Sequence, residues 1–151
     1  MIEEKGGVPM KLKLILLFVL LIPTFWIAAC APSSGTTSVN VACNDFNGQP
    51  DISKQLTVAA GSTFTVTLCS NPTTGFQWSE SARIGDTSVI EQMSHEFVSP
   101  SNTEAVGVPG SEVWTFKALK KGTTTIHMDY SRPWEGGEKG TWTFDLTAIV
   151  K

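Results

Sequence analysis

The chain has 151 residues, of which 41% are hydrophobic and 17% charged, with a formal net charge of −3. That length suits one domain with a tail, and the mildly acidic balance leaves no basic footprint for nucleic acid. The apolar content is too high for a disordered chain, and three cysteines are too few for a disulfide-dense miniprotein.

The first element in chain order is a targeting segment. Lys11 and Lys13 precede an apolar run from Leu14 to Ala29, which ends in Ile27-Ala28-Ala29-Cys30. A positive start, an apolar stretch and small residues at the cut describe a secretory signal over residues 1–29. The run is short for a spanning helix. Cys30, directly after two alanines, is similar to the cysteine of a bacterial lipobox, whose thiol is lipidated and becomes the first mature residue. The alternative is an ordinary signal peptide that ends beside a cysteine. Glu3 and Glu4 weaken the positive region, so translation is expected to start at Met10. Cys30 to Asn40 is rich in Ser, Thr, Gly and Pro and has no aromatic residue. Residues 30–42 are therefore expected to be a lipidated cysteine and a flexible tether outside the core. The product would be an exported envelope lipoprotein that meets the membrane through its lipid anchor only.

Export leaves Cys43 and Cys69 in an oxidising compartment, where such a pair can persist as a disulfide. Two free buried thiols are the alternative. Neither cysteine has a second ligand at metal-site spacing, so neither a metal nor another cofactor is expected.

Residues 43–151 are expected to form the domain. Its apolar residues recur at every second position, the period of half-buried strands. Leu56 and Val58 form one such set, and Phe64, Val66 and Leu68 the next. Phe76 and Trp78 follow, then a weaker pattern from Val89-Ile90 to Phe97-Val98. Trp114, Phe116 and Ala118 come next, then Ile126, Met128 and Tyr130, and finally Trp142, Phe144, Leu146, Ala148 and Val150. About seven strands rich in Thr, Val, Phe and Trp suit an all-β antiparallel sandwich. The stretch from Ile84 to Phe97 fits either a short helical turn or an irregular strand.

Three segments between strands have unusual composition. They are Asn71-Pro72-Thr73-Thr74-Gly75-Phe76, Gly107-Val108-Pro109-Gly110, and Arg132-Pro133-Trp134 with the Glu135-Gly136-Gly137 that follows. Pro and Gly stiffen a loop or permit unusual backbone angles, and a Trp beside an Arg is a pairing enriched at interfaces. If the strands alternate in direction, the three loops lie at one end of the sandwich and form a composite edge.

These segments resemble the motifs of the chagasin family of cysteine-peptidase inhibitors. Trp78 after the first motif and Tyr130 before the third also fit, and the resemblance runs from about Leu56 to Val150. Val108 and Pro109 within the middle loop depart from the family pattern, and the Cys43/Cys69 pair and the tether look like additions to it. The resemblance implies an immunoglobulin-like fold and reversible inhibition of papain-like cysteine peptidases by a monomer whose three loops fill the active-site cleft. It places Thr73, Thr74 and Gly75 near the peptidase's catalytic cysteine. Arg132, Pro133 and Trp134 would lie on the primed side, and Gly107 to Gly110 along the non-primed side.

An enzyme would need a base, and the only histidines are His95 and His127. His127 falls on an outward, Thr-rich face, where a solvated side chain is expected. Neither histidine neighbours a nucleophile in sequence, which argues against catalysis. The competing reading is a surface adhesion or glycan-binding sandwich that stacks Trp134 on a sugar.

Overall fold

The computed structural model describes residues 37–100 and 107–151. The secretory signal over 1–29, the start at Met10 and lipidation of Cys30 lie outside the described residues. Nine strands are described: β1 (Thr37–Val41), β2 (Asp51–Val58), β3 (Thr63–Ser70), β4 (Gln77–Trp78), β5 (Arg83–Ile84), β6 (Ile90–Val98), β7 (Gly110–Ala118), β8 (Gly122–Ser131) and β9 (Trp142–Val150). One sheet has the order β1-β3-β7-β6. The other has the order β2-β9-β8-β4, with β5 also paired to β8.

The period-2 pattern is the reason these segments are strands. Phe64, Val66 and Leu68 of β3 and Trp114, Phe116 and Ala118 of β7 point inward from the first sheet. Ile126, Met128 and Tyr130 of β8 and Phe144, Leu146 and Ala148 of β9 face them from the second. The result is an immunoglobulin-like β-sandwich with one core between its two sheets.

The structure departs from the sequence reading at three places and decides between its two alternatives at a fourth. Nine strands replace about seven because β1 and the two-residue β5 have too little alternation to be seen. Thr37–Val41, expected to lie in the tether, forms β1 and pairs in parallel with β3, which buries Val41. A second parallel pair, β2 with β9, makes both sheets mixed rather than purely antiparallel. The ambiguous middle segment is the irregular strand β6, whose register shifts between Gln92 and Ser94.

Cys43, in a 3₁₀ turn after β1, is bonded to Cys69 on β3, with Cα atoms 5.1 Å apart. The bond closes a 26-residue separation. Such a cross-link removes roughly 3 kcal/mol of freedom from the unfolded chain. It ties the N-terminal strand to the strand that leads into the first loop.

His127 is not the solvated side chain that its outward face suggested. Its Nδ1 lies 2.7 Å from Asp145 Oδ1 and its Nε2 lies 2.9 Å from Asp129 Oδ1, while Arg83 pairs with Asp129 at 3.0 Å. Burial pulls the imidazole pKa down, but the hydrogen bonds to Asp145 and Asp129 outweigh it, so the pKa rises above the ordinary histidine value. A raised folded pKa stabilises fully below the unfolded value of about 6.5 and is lost as pH rises through the folded value. Thermal unfolding of the wild type should therefore show a falling midpoint above about pH 6.5, and His127→Gln should flatten that slope. Parallel curves for the two proteins would refute the assignment.

Candidate functional site

Loop 1, Asn71–Phe76, connects β3 to β4. Its sequence encodes its shape. Asn71 caps a single 3₁₀ turn over Pro72–Thr74, with its side-chain oxygen accepting from the Thr73 backbone N–H and, at 2.7 Å, from the Thr73 hydroxyl. The Thr74 hydroxyl donates to the Asn71 carbonyl at 2.7 Å. Pro72 at the first position of the turn costs nothing, since its missing N–H would have had no partner there. Gly75 ends the turn at φ +80°, the left-handed region that a side chain disfavours.

Both stems of loop 1 hang from one buried carboxylate. Glu112 of β7 is 3% exposed. Its Oε1 accepts from the Ser70 hydroxyl at 2.7 Å, before the loop, and from the Trp78 backbone N–H at 3.0 Å, after it. Its Oε2 accepts from His95 Nε2 at 2.8 Å, and the His95 ring lies against Trp114. The Asn71 N–H donates to the Tyr130 hydroxyl at 2.9 Å, and the Trp78 indole N–H donates to the Cys69 carbonyl at 2.9 Å. The sequence reading found none of Glu112, Ser70 or Tyr130 in these roles. His95, left there without a partner, belongs to this clamp.

The three loops meet at one end. The Asn71 side-chain amide donates to the Gly107 carbonyl at 3.0 Å, which ties loop 1 to the middle loop. Val108 and Pro109 follow, and Gly110 is not loop but the first residue of β7, paired with Ser70. Loop 3 begins at Arg132. Its guanidinium lies over the Phe76 ring, 4.4 Å from the centroid, and that ring also stacks with Tyr130. Phe76 is half-buried and sits beneath the edge. Pro133 and Trp134 are exposed, Trp134 by 53%. Lys139, which no sequence motif marks out, donates from its ammonium to the carbonyls of Arg132 and Trp134, the latter at 3.0 Å.

Gly75 has a role inside the protein that sequence reading did not find. In the structure a Cβ at Gly75 would stand 2.7 Å from the outer edge of the Trp134 indole. The glycine is the seat on which loop 3 rests its aromatic ring.

A stiff β-sandwich that gathers three loops at one end, with an exposed tryptophan among them, belongs to the class of loop-presenting binding modules. The Chagasin family peptidase inhibitor model matches residues 57–148. Amoebiasin-2 of Entamoeba histolytica is 33% identical over 86 residues, which cover 57% of this chain and 68% of that protein. Chagasin of Trypanosoma cruzi is 30% identical over 83 residues, covering 54% and 74%. The chain belongs to the chagasin family of peptidase inhibitors and is therefore an inhibitor rather than an enzyme. Two solved structures share the fold. A cysteine protease inhibitor from Entamoeba histolytica superposes with TM-score 0.60 at 22% identity, over 77% of this chain and 97% of that one. The inhibitor PbICP-C, solved in complex with falcipain-2, gives 0.58 at 16% identity, over 76% and 99%.

Gly75→Ala should cost about 1–2 kcal/mol from the left-handed backbone alone, and it should also unseat Trp134. In nuclear magnetic resonance spectra the Trp134 indole N–H should shift, while that of the buried Trp114 stays fixed. An unmoved Trp134 signal would show that the ring does not depend on this seat.

Proposed function

We propose that the chain reversibly inhibits papain-like cysteine peptidases by pushing its three-loop end, as a monomer, into the active-site cleft. The observation that carries this reading is the Gly75–Trp134 seat. It presents a large, half-exposed indole in a fixed place beside the exposed tip Thr73–Thr74. Family membership and the fold relative solved in complex with falcipain-2 point to the same class of target, and they favour inhibition over the glycan-binding alternative.

In this reading Thr73, Thr74 and Gly75 enter the cleft at the catalytic cysteine. Arg132, Pro133 and Trp134 cover the primed side, while Gly107, Val108, Pro109 and Gly110 run along the non-primed side. Asn71, Pro72 and Phe76 hold the tip in shape. No bond to the peptidase is formed. A preformed edge loses little conformational entropy on association, so more of the contact energy appears as affinity.

Inhibition constants of the purified processed chain against papain test this. Trp134→Ala removes a large apolar anchor and should cost ~2 kcal/mol of binding, roughly thirtyfold in affinity, with the fold intact by circular dichroism. Thr74→Trp should weaken inhibition further, because bulk at the tip blocks entry. A folded wild type that fails against several papain-like peptidases would falsify the reading.

We propose in addition that the precursor is exported and anchored at the cell envelope through Cys30, on the strength of Ile27-Ala28-Ala29-Cys30. Cys30→Ala should leave the precursor uncleaved or the chain free of the membrane fraction. Unchanged processing and partitioning of that variant would count against the anchor.

A further inference from the structure

Among the described residues, five large apolar side chains stand strongly exposed: Met93, Phe97, Val98, Leu119 and Trp134. We infer that Phe97 is a further contact residue of the peptidase-facing end, an apolar anchor that flanks loop 1 from the other sheet and meets an apolar part of the target's cleft wall. This inference rests on the reading of that end as the inhibitory surface.

The strand carrying Phe97 is deformed in a way that puts it there. At the start of β6, Ile90 pairs with Ala118 and Gln92 with Phe116, so the even-numbered residues share the inward face. Plain alternation would continue that face through Ser94, Glu96 and Val98. The bulge at Met93 changes the register, and beyond it His95 pairs with Trp114 and Phe97 with Glu112. His95 and Phe97 thus take the inward face, where the neighbouring strand carries the clamp carboxylate. Bulges recur where a strand must re-aim a side chain next to a functional site.

His95 uses that placement to reach Glu112, but Phe97 gains no cover from it. The ring shares its face with the buried Glu112 and remains 43% exposed. It is built into the edge nonetheless. A Cβ at Gly110, the first residue of β7, would lie 2.7 Å from the Phe97 ring, so that position has only a hydrogen where the ring packs. Pro72 of loop 1 and Phe97 together line a depression of about 160 Å³ that also includes His95 and Glu112, with Gln77 and Glu80 beside them. Loop 1 thus has the exposed Trp134 of loop 3 against Gly75 and the exposed Phe97 of the four-stranded sheet close to Pro72.

The chemistry of the depression selects its partner. The Glu112 carboxylate is already engaged by Ser70, Trp78 and His95, so of the two carboxylates that line the depression only that of Glu80 stands open to a charged visitor. Proline and phenylalanine surface bordered by Gln77 and Glu80 instead matches the usual pattern of an apolar interface centre with a polar rim. The partner group is an aliphatic or aromatic side chain of the peptidase.

Inhibition constants against papain, read for wild type and three variants of the full processed chain, test this. Phe97→Ser should weaken inhibition at least tenfold, chiefly through faster dissociation. Phe97→Leu, which keeps apolar surface, should stay within threefold of wild type. Leu119→Ser, at the far end of β7, should match wild type. Thermal unfolding confirms that each variant folds. A benzophenone photocrosslinker at position 97 should trap the peptidase, whereas one at 119 should not. The inference is overturned if Phe97→Ser inhibits within twofold of wild type, or if position 134 crosslinks and position 97 does not. A wild type that neither inhibits nor crosslinks at position 134 removes the peptidase reading, and the role of Phe97 falls with it.

Discussion

The carboxylate of Glu112 is the constraint on which the loop end depends. A buried ionised carboxylate costs several kcal/mol in lost hydration unless donors replace the water. Here the donors are the Ser70 hydroxyl, the Trp78 backbone N–H and His95, each within 3.0 Å. Two of the three come from the strand residues that flank loop 1. The requirement to satisfy one charge therefore fixes the separation of the two stems, and a loop with fixed stems and a capped turn has little freedom left. The other loops are referenced to that one: the middle loop through the Asn71 amide on the Gly107 carbonyl, and loop 3 through Trp134 on Gly75.

This arrangement explains how a small sandwich can present a defined surface. Ordering a mobile loop during association opposes binding by about 0.5–1.5 kcal/mol for each flexible side chain immobilised. In this fold the ordering is done beforehand, by groups already inside the domain. Lys139 contributes at the rim, where its ammonium gathers the carbonyls of Arg132 and Trp134. The Cys43–Cys69 bond acts from beneath, joining the β1 end of the chain to the strand that enters loop 1.

Much of the sandwich was legible in the sequence because its central strands are buried on one face only. Alternation then appears directly, as in Thr63 to Leu68 or Trp142 to Val150. Strand β1 was hidden because Thr37, Ser38 and Asn40 look like tether, and its two valines are too few to display a period. The bulge in β6 was hidden for a related reason: a register shift mid-strand erases the pattern that would reveal the strand. The loops were legible by composition, since Asn, Pro and Gly at those spacings serve backbone geometry. Their mutual contacts were not, because Gly75 and Trp134 are far apart in the chain. One signal was present and unused. Extending the alternation of β7 back from Trp114 places Glu112 on the buried face, and extending that of β3 forward from Leu68 places Ser70 beside it. A carboxylate at an inward position next to a polar stem is a sign of a buried hydrogen-bond cluster.

The division of labour within the motifs bears on how specificity arises. Asn71 spends its amide, its side-chain oxygen, its N–H and its carbonyl on the loop itself and on Gly107 and Tyr130. Gly75 is spent on Trp134, and Phe76 on Tyr130 and Arg132. Residues with no polar group left over build the edge and cannot also read the partner. A motif of this kind transmits a shape, and any protein that keeps the shape can keep the class of target. Discrimination among targets then falls to exposed side chains that the motif does not use for construction. Pro109 is such a residue within the loops, Trp134 keeps half its ring exposed beyond the edge that rests on Gly75, and Phe97 stands outside the loops. In the proposed mode of inhibition, these are the positions at which a change of side chain alters the choice of peptidase without disturbing the Glu112 clamp.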